Sequence, residues 1–286
     1  MKLVTLTSLL AEKFGIEKAL EMIADAGFDG YDYSMTRASE WEKLSSEDYL
    51  SYVKTIKNAA ERIGLPCLQA HTPCPKVPNM ISAEDYIPMT VRALEISSEL
   101  ECPVAVVHPA NIYTAEQNYE QIYSKILPTA ERLGVKVATE NMFGWNKEHT
   151  EFVPEACGTG EDFIKHLNML SSPYFTGCVD IGHAQLKKCG GAARMIKLMG
   201  KERIGALHVH DNDLGWDDHT FPFVGKSDWE EITSALAEIG YENPFTFEAD
   251  SFMKGYPDEL LFSCLKLLHD TGRYLIARIE EKRLGK

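Results

Sequence analysis

The feature that most constrains the fold is a regular alternation of short β-rich segments with longer amphipathic segments along all 286 residues. This alternation is typical of parallel strands that are joined by crossover helices. Eight such units are present. Their β-rich segments are VTLTS from Val4, GYDYS from Gly30, CLQAH ending at His71, AVVHP ending at Pro109, KVATEN ending at Asn141, TGCVDIGH ending at His183, ALHVH ending at His210 and FTFEA ending at Ala249. Eight complete β/α units, with no unpaired segment left over, favour a closed barrel over an open sheet.

The segments between these strands show helical periodicity. In Ile16–Ala26 and Glu47–Ile63 apolar residues recur three and four positions apart, as on the buried face of a helix. The sequences AGFDG, RIGLP, RLGV and EIGYENP place glycine where a helix ends before the next strand. One barrel has about 250 residues plus insertions. We therefore predict an α/β protein with one domain, a single (β/α)8 TIM barrel that covers residues 1–286.

Composition bears on partners and location. The formal net charge of −14 argues against a nucleic-acid partner, because nucleic-acid binders use Lys and Arg to displace condensed counterions. No apolar stretch approaches the ~18 residues that cross a bilayer. The seven cysteines, without a C-x-x-C pair, are typical of reduced thiols. We expect a soluble cytoplasmic protein without a nucleic-acid or membrane partner, and assembly into a homo-oligomer stays open.

Residues that ligate divalent metals are concentrated at the ends of the predicted strands. In a barrel of this kind catalytic groups project from the carboxyl ends of the strands. Burying many ionisable groups at one rim without a cation would be costly, because desolvation and like-charge repulsion both oppose it. The mixture of carboxylate and imidazole favours Mn²⁺, Zn²⁺, Co²⁺ or Fe²⁺ over Ca²⁺. The residues concerned are His71, His108, Glu140, Asp180 with His183, His208 and Glu248.

Further candidates lie close to these strand ends. His208 and His210 are two positions apart in a predicted strand, so their side chains point to the same face. We favour His208 as a metal ligand, with His210 supporting it. Asp217 and His219 follow in the next loop and are additional candidates. Aromatic residues that follow these strands, where they would wall a pocket, are Phe143, Trp145, Trp216 and Phe221. The histidines expected on the surface are His149, His166 and His269.

Four motifs carry a resemblance to the xylose-isomerase-like barrel superfamily, which holds ketose 3-epimerases, inosose-processing enzymes, hydroxypyruvate isomerases and endonuclease IV. They are T-E-N at Thr139–Asn141, D-x-G-H at Asp180–His183, H-x-x-D at His208–Asp211 and F-E-A at Phe247–Ala249. The resemblance covers nearly the whole chain. In the sugar-converting members one divalent metal is held by four residues that match Glu140, Asp180, His208 and Glu248 here.

The resemblance implies a metal-dependent isomerase or epimerase of a small sugar or polyol that works through a metal-stabilised enediolate. The implied cofactor is one divalent ion, Mn²⁺, Zn²⁺ or Co²⁺, with Mg²⁺ or Fe²⁺ as alternatives. Glu140 and Glu248 are the expected catalytic pair, because inversion needs a proton removed from one face of a carbon and returned to the other. The expected substrate-binding residues are His71, His108, His183, Trp145, Asp217 and His219.

The substrate is expected to be unphosphorylated, because no loop of the phosphate-cradling type follows any strand. Only scattered lysines, Lys76, Lys147 and Lys226, lie near predicted strand ends.

Alternatives remain open. Endonuclease IV has additional metal ligands, which would fall on His71, His108, His183, Asp217 and His219. A trinuclear zinc phosphodiesterase acting on abasic DNA is therefore a competitor, against which the charge of −14 stands. A metal-dependent sugar dehydratase or lyase of the same superfamily would use the same machinery. A sugar-binding barrel without activity is the third alternative, and a complete set of acidic and metal-ligating residues argues against it.

Overall fold

The computed structural model describes residues 1–74 and 83–285, so Lys76 lies outside the described residues. In this part of the chain all eight predicted strands are present, together with a short hairpin that the sequence analysis did not predict. The strands are β1 (Leu3–Leu6), β2 (Gly30–Ser34), β3 (Cys67–His71), β4 (Val104–Val107), β5 (Lys136–Glu140), β6 (Phe143–Trp145), β7 (Phe152–Pro154), β8 (Phe175–Asp180), β9 (Ile204–His208) and β10 (Phe245–Phe247). Strands β6 and β7 form the antiparallel hairpin.

The other eight described strands form a parallel sheet in the order β10–β1–β2–β3–β4–β5–β8–β9. Its two edges meet just beyond β9. There the backbone N–H of Val209 donates to the carbonyl of Thr246 at 2.9 Å, and that of Glu248 donates to the carbonyl of Val209 at 3.1 Å. These bonds close the sheet, which confirms the predicted (β/α)8 TIM barrel.

Helices surround this barrel, and the predicted helix Ile16–Ala26 is present with the same bounds. The predicted helix Glu47–Ile63 begins at Tyr49 instead. The glycines predicted to end helices, at positions 27, 64, 134 and 240, have φ between 68° and 100°. The helices are α1 (Ser8–Phe14), α2 (Ile16–Ala26), α3 (Ala38–Leu44), α4 (Tyr49–Ile63), α5 (Ala83–Glu99), α6 (Ala115–Asn118), α7 (Ser124–Leu133), α8 (Gly160–Asn168), α9 (Ile181–Gln185), α10 (Ala192–Met199), α11 (Trp229–Glu238) and α12 (Leu261–Arg283). Shorter turns are the π-turn Tyr119–Tyr123 and the 3-10 turns Lys201–Arg203, Asp250–Gly255 and Asp258–Leu260.

The main core lies between the barrel strands and the surrounding helices. Helix α2 shows how the sequence builds it, because Ala19, Leu20 and Ile23 recur at helical spacing and are fully buried. Helix α12 approaches the barrel closely at Gly272, where a Cβ atom would overlap the side chains of Leu3 and Phe247. Apolar burial between the outer faces of the strands and the helices therefore holds the barrel and its helices together.

The interior of the barrel differs between its two sides. Along β4, β5, β8 and β9 it is filled by a small apolar cluster, which consists of Val104, Val106, Ala138, Cys178 and Ala206. On the other side lies a polar group that we call the interior network, consisting of Asp32, Gln69 and Thr246. Gln69 Nε2 donates to Asp32 Oδ2 at 2.8 Å, and Gln69 Oε1 accepts from the Thr246 hydroxyl at 3.1 Å. Since β3 and β10 are not neighbours, the second bond crosses the barrel.

One surface expectation is wrong. His166 lies on α8 and is only 1% exposed. Its Nδ1 donates to the carbonyl of Asp162 at 2.9 Å and its Nε2 lies 3.3 Å from Asn118 Nδ2, so hydrogen bonds compensate the burial of the ring. His149 is exposed as expected, whereas His269 is partly buried against Phe28. No helix within the described ranges is both long and apolar enough to cross a membrane.

Candidate active site

The carboxyl ends of β5, β8, β9 and β10 bring together the four predicted metal ligands. One ligand atom from each of Glu140, Asp180, His208 and Glu248 lies within 4.8 Å of the others. We call these residues the four-ligand cluster. His208 Nδ1 lies 3.0 Å from Glu140 Oε1 and 3.0 Å from Glu248 Oε2. Three of the four side chains are buried, and that of Glu248 is 20% exposed.

Asn141 fixes the end of β5 against the end of β8. Its Oδ1 accepts from the backbone N–H of Asp180 at 2.7 Å, and its Nδ2 donates to the Asp180 carbonyl at 3.0 Å. Strand β8 ends at Asp180, earlier than the predicted His183, because Asp180 Oδ1 accepts from the N–H of His183 and caps α9. A Cβ atom at Gly182 would overlap the ring of His210. The hydrogen bonds of Asn141 therefore fix the position of the T-E-N motif relative to the D-x-G-H motif.

A second group of predicted residues lies beside this cluster. Ligand atoms of His183, His210, Asp217 and His219 lie within 4.8 Å of one another. His219 Nε2 is 2.9 Å from Asp217 Oδ2, and His183 Nε2 is 3.6 Å from Asp217 Oδ1. The Nδ1 atoms of His183 and His219 each lie 2.9 Å from a backbone carbonyl, which orients both Nε2 atoms toward Asp217.

A third group consists of His71, Cys74 and His108. It lies beside Glu140 Oε2, whereas His208 lies beside Glu140 Oε1. His108 Nε2 is 2.9 Å from Glu140 Oε2, and His71 Nε2 is 4.0 Å from the same oxygen. Cys74 Sγ lies 3.7 Å from His108 Nε2. Cys74 was not predicted from the sequence, although its position three residues after His71 is a spacing at which metal ligands occur.

The close packing of charged groups shifts their pKa values. Burial raises the pKa of Glu140, but His208 and His108 outweigh this effect and hold it well below its usual range. Burial lowers the pKa of His183, but Asp180 and other nearby carboxylates raise it to about 9. In the chain alone, imidazole protons thus balance the carboxylates. A divalent cation would displace such protons and supply the positive charge itself.

The buried polar atoms show whether the site suits a cation. Glu140 Oε2 and Asp217 Oδ1 are buried and have no hydrogen-bond partner among residues 1–74 and 83–285. Glu140 Oε2 approaches His108 Nε2, but the two atoms are not aligned for a hydrogen bond. Burying a carboxylate oxygen without a hydrogen-bond donor or a cation beside it costs folding free energy, because the oxygen loses its hydration. Carboxylate and imidazole donors in this number fit Mn²⁺, Zn²⁺ or Co²⁺.

All three groups border one cavity of about 400 Å³, a volume that suits a small molecule. The predicted residues that line it are His71, His108, Glu140, Phe143, His183, Asp217, His219 and Glu248. The lining residues that sequence reasoning missed are Thr36, Cys74, Pro109, Ala110, Asn111 and Met142. No Lys or Arg is found among the described lining residues.

The four aromatic candidates are placed differently. Phe143 lines the cavity and meets the ring of His183 edge-on at 4.8 Å. Trp145 is 40% exposed on the same hairpin and does not line the cavity in the described part of the chain. Trp216 is 55% exposed and meets Trp145 edge-on at 5.3 Å. Phe221 is buried in a stack on Phe252. Geometry therefore places Phe143 at the cavity, and the substrate contact of Trp145 stays a prediction.

Comparisons with known proteins agree with this architecture. The family described as xylose isomerase-like TIM barrel matches residues 20–263. An uncharacterized protein of Sinorhizobium fredii is 23% identical in an alignment of 271 residues, and the alignment covers 82% of this chain and 81% of that protein. The solved structure of a D-tagatose 3-epimerase-like protein superposes with a TM-score of 0.74 at 20% identity, covering 99% of both chains. A D-psicose 3-epimerase with D-tagatose from Clostridium cellulolyticum H10 gives a TM-score of 0.70 at 16% identity, covering 96% of this chain and 99% of that one.

Proposed function

Since the chain belongs to the xylose isomerase-like TIM barrel family, we propose that it is a divalent-metal-dependent enzyme that isomerises or epimerises a small sugar or polyol. The observation that carries the proposal is the four-ligand cluster at the wall of a cavity of small-molecule size. The fold shared with a D-tagatose 3-epimerase-like protein and a D-psicose 3-epimerase also supports it.

The proposed metal is held by the four-ligand cluster. A divalent cation there would stabilise the negative charge that develops on the substrate oxygens when a carbon-bound proton is removed. One ion of Mn²⁺, Zn²⁺ or Co²⁺ is proposed for this cluster, because its donors are three carboxylates and one imidazole.

Proton transfer is assigned to Glu140 and Glu248. Both line the cavity, and both approach His208 Nδ1 to 3.0 Å from different strands. Low pKa values keep the two carboxylates ionised: burial raises them, but nearby histidines, with His208 foremost, lower them further. An ionised carboxylate can take a proton from one face of a carbon, and a second carboxylate can return one to the other face.

Hydroxyl recognition is assigned to the polar side chains around these carboxylates. His71, His108, His183, Asp217 and His219 line the same cavity and offer donors and acceptors at several points of its wall. Phe143 offers an apolar surface against which the carbon-bound hydrogens of a sugar can pack.

An unphosphorylated substrate is proposed because the described cavity lining contains no Lys or Arg. Arg37 and Lys254 line an adjoining recess, but both contact Asp250, Arg37 at 3.7 Å and Lys254 at 3.4 Å. The carboxylate of Asp250 thus partly compensates the charges of Arg37 and Lys254, which makes them weaker partners for a phosphate group.

The test is a panel of ketoses, aldoses, polyols and their phosphates, incubated in deuterated water with protein loaded with Mn²⁺, Zn²⁺ or Co²⁺. We expect an isomeric product that carries deuterium at the reacting carbon for at least one unphosphorylated compound. A product that has lost water would instead identify a dehydratase or lyase. The absence of deuterium from every sugar at saturating metal would refute the proposal.

A second candidate function is a phosphodiesterase acting on abasic DNA. The observation that favours it is the concentration of metal-ligating side chains around the four-ligand cluster, in the groups of His71 and His183. The net charge of −14 and the lack of Lys and Arg in the described cavity lining oppose it, because they offer little counterion release. We expect no incision of an abasic duplex at near-physiological salt, and incision at low enzyme concentration would reverse the ranking.

A further inference from the structure

Two of the eight barrel strands, β1 and β2, carry no His, Asp or Glu at their carboxyl ends. Ser8 follows β1, and Ser34 and Arg37 lie at the end of β2. Together with the turn that begins at Asp250, these strand ends border a space of about 230 Å³ beside Glu248, which we call the polar recess. The proton transfer proposed above does not use it.

We propose that the polar recess binds hydroxyl groups of the substrate that lie beyond the reacting carbons. Arg37 and Asp250 then select a polyhydroxylated chain of hexose length over a shorter one. This inference rests on the proposed function, since it extends the same site, but its readout is ligand affinity and not turnover.

The polar recess is continuous with the cavity. Thr36, His219 and Glu248 border both spaces, so a ligand held at Glu248 can extend from one into the other. The turn Asp250–Gly255 is tied to the same wall, because the backbone N–H of Ser251 donates to the His219 carbonyl at 3.3 Å. The polar recess therefore adds room for the far end of a substrate whose reacting carbon lies in the cavity.

The two sides of the combined space differ in character. On the side of the β6–β7 hairpin, Met142 and Phe143 give the cavity an apolar surface. In the polar recess Leu6 is the one apolar residue among the described lining residues. Hydroxyl groups bind where donors and acceptors replace their hydration. A substrate that reacts between Glu140 and Glu248 therefore directs its hydroxyl-rich end toward β1 and β2.

Arg37 and Asp250 retain hydrogen-bonding capacity in the polar recess. Arg37 Nε donates to the Ser8 hydroxyl at 2.9 Å, which orients the guanidinium group. Its Nη2 lies 3.7 Å from Asp250 Oδ2, and Lys254 Nζ lies 3.4 Å from Asp250 Oδ1. Both distances exceed the roughly 2.7–3.2 Å of an N–H···O hydrogen bond. A hydroxyl group, which both donates and accepts, can therefore bridge Arg37 Nη2 and Asp250 Oδ2.

The charges around the polar recess favour a neutral ligand. Arg37 and Lys254 contact Asp250, and Arg37 Nη1 also lies 3.0 Å from Glu12 Oε2. Two cations thus face two carboxylates, while Glu248 belongs to the four-ligand cluster. The side chain of Asp250 is 13% exposed, so solvent competes little for its oxygens. Because hydrogen bonds to charged groups are stronger than those between neutral groups, this arrangement can hold an uncharged sugar chain.

The test measures the affinity of polyols for the full chain loaded with Mn²⁺, by isothermal titration calorimetry. A panel of hexitols and tetritols is the probe, because neither class carries a carbonyl group. In the wild type we expect the best hexitol to bind at least roughly tenfold more tightly than the best tetritol, the usual effect of a hydrogen bond to a charged group. R37M and D250N should each lose this difference and retain the wild-type affinity for the tetritol.

The matched control is R273M. Arg273 also pairs with an aspartate, Asp29 at 2.9 Å, and its exposure of 37% is close to the 33% of Arg37, but it lies on the outer helix α12. R273M should preserve the preference for the hexitol, and thermal unfolding shows that each variant is folded. The proposal is overturned if the wild type does not bind a hexitol more tightly than a tetritol, or if R37M and D250N weaken both ligands equally.

The failure of this inference and the failure of the proposed function give different results. Deuterium incorporation into ketoses, together with equal affinity for hexitols and tetritols, would overturn the role of the polar recess alone. A preference for the hexitol that depends on Arg37 and Asp250, without deuterium in any sugar, would support the binding site and refute the proposed reaction.

Discussion

The barrel has two buried polar regions. One is the carboxyl-end rim, which consists of the four-ligand cluster and the groups of His71 and His183. The other is the interior network below it, and the polar atoms of the two regions have different partners. In the interior network Gln69 joins Asp32 to Thr246 through hydrogen bonds of 2.8 and 3.1 Å. At the rim Glu140 Oε2 and Asp217 Oδ1 have no such partner among the described residues. Hydrogen bonds join the members of the interior network, in which only Asp32 Oδ1 lacks a partner among the described residues. At the rim neighbouring imidazoles balance the buried carboxylates, and a divalent cation would displace their protons.

The two regions meet at Asp32 and His208. Asp32 Oδ2 lies 3.8 Å from His208 Nε2, on the side of the ring opposite the four-ligand cluster. Asp32 Oδ1 and His208 Nε2 have no hydrogen-bond partner within the described chain. The interior network can therefore influence the rim through the orientation of one imidazole ring.

The largest expected effect is that of removing the metal. If the rim is arranged for a cation, chelation should abolish turnover and lower the thermal unfolding temperature, because a bound ion stabilises the folded state by mass action. Re-addition of Mn²⁺, Zn²⁺ or Co²⁺ should restore both. Elemental analysis before and after chelation checks the assignment. Activity that survives in metal-free protein would show that the rim does not need a cation, and it would contradict the difference drawn here between the rim and the interior network.

The next effect concerns the two glutamates of the rim. E140Q and E248Q keep the shape of each side chain but remove the base, so we expect losses of roughly 10²–10⁴ in turnover, the usual range for a general acid–base group. Fold and at least partial metal binding should be retained.

A purely ligating role predicts a different result for the same variants. Activity would then fall in proportion to bound metal and recover when metal is added in excess. Measuring turnover and solvent-hydrogen exchange at saturating metal separates the two roles, and near-normal exchange in both variants would exclude proton transfer by either glutamate.

A smaller effect tests the link between the regions. D32A removes the carboxylate beside His208 Nε2, and we expect metal affinity to fall roughly 10–100-fold, as for other outer partners of ligating histidines. D32N keeps an acceptor and should lose less. The matched control is T246V, which removes a hydroxyl of the interior network without touching His208. It should reduce thermal stability and leave metal affinity unchanged, and equal metal affinity in D32A and wild type would show that the regions are independent.

How far the sequence predicts this molecule differs between the same two regions. The strands and the residues at their ends follow from local pattern, because parallel strands are apolar along their length and polar groups collect where they end. The interior network could not be predicted in this way, since Gln69 and Thr246 are 177 positions apart in the chain. Which inward-facing polar residues meet depends on the register of the closed barrel.

The remaining differences have local causes. The hairpin β6–β7 was missed because each of its strands has only three residues, too few to show an alternating pattern. His166 is expected at the surface because it falls in a predicted loop or helix and not at a strand end, whereas Asn118 and the carbonyl of Asp162 form hydrogen bonds with its ring in the interior. Cys74 could not be predicted from cysteine spacing, because no other cysteine lies two or three positions away and its neighbours in the structure are His71 and His108.

The smallest expected effect is that of W145A, which lies on the rim but outside the ligand groups. The ring of Trp145 packs on Phe152 at 4.2 Å and meets Trp216 edge-on at 5.3 Å, whereas Phe143 of the same hairpin lines the cavity. Truncating Trp145 should loosen the hairpin that positions Phe143, so we expect KM to rise by a few-fold, roughly the cost of one partly exposed aromatic contact, with kcat nearly unchanged. F143A should raise KM more, because it removes the cavity wall itself, and Y274A serves as the control for loss of an exposed aromatic ring, since Tyr274 lies on the outer helix α12. Steady-state kinetics of the three variants at saturating metal decide the matter. A larger rise in KM for W145A than for F143A would show that Trp145 contacts the substrate directly, as the sequence analysis expects, and would extend the functional rim from the strand ends to the hairpin.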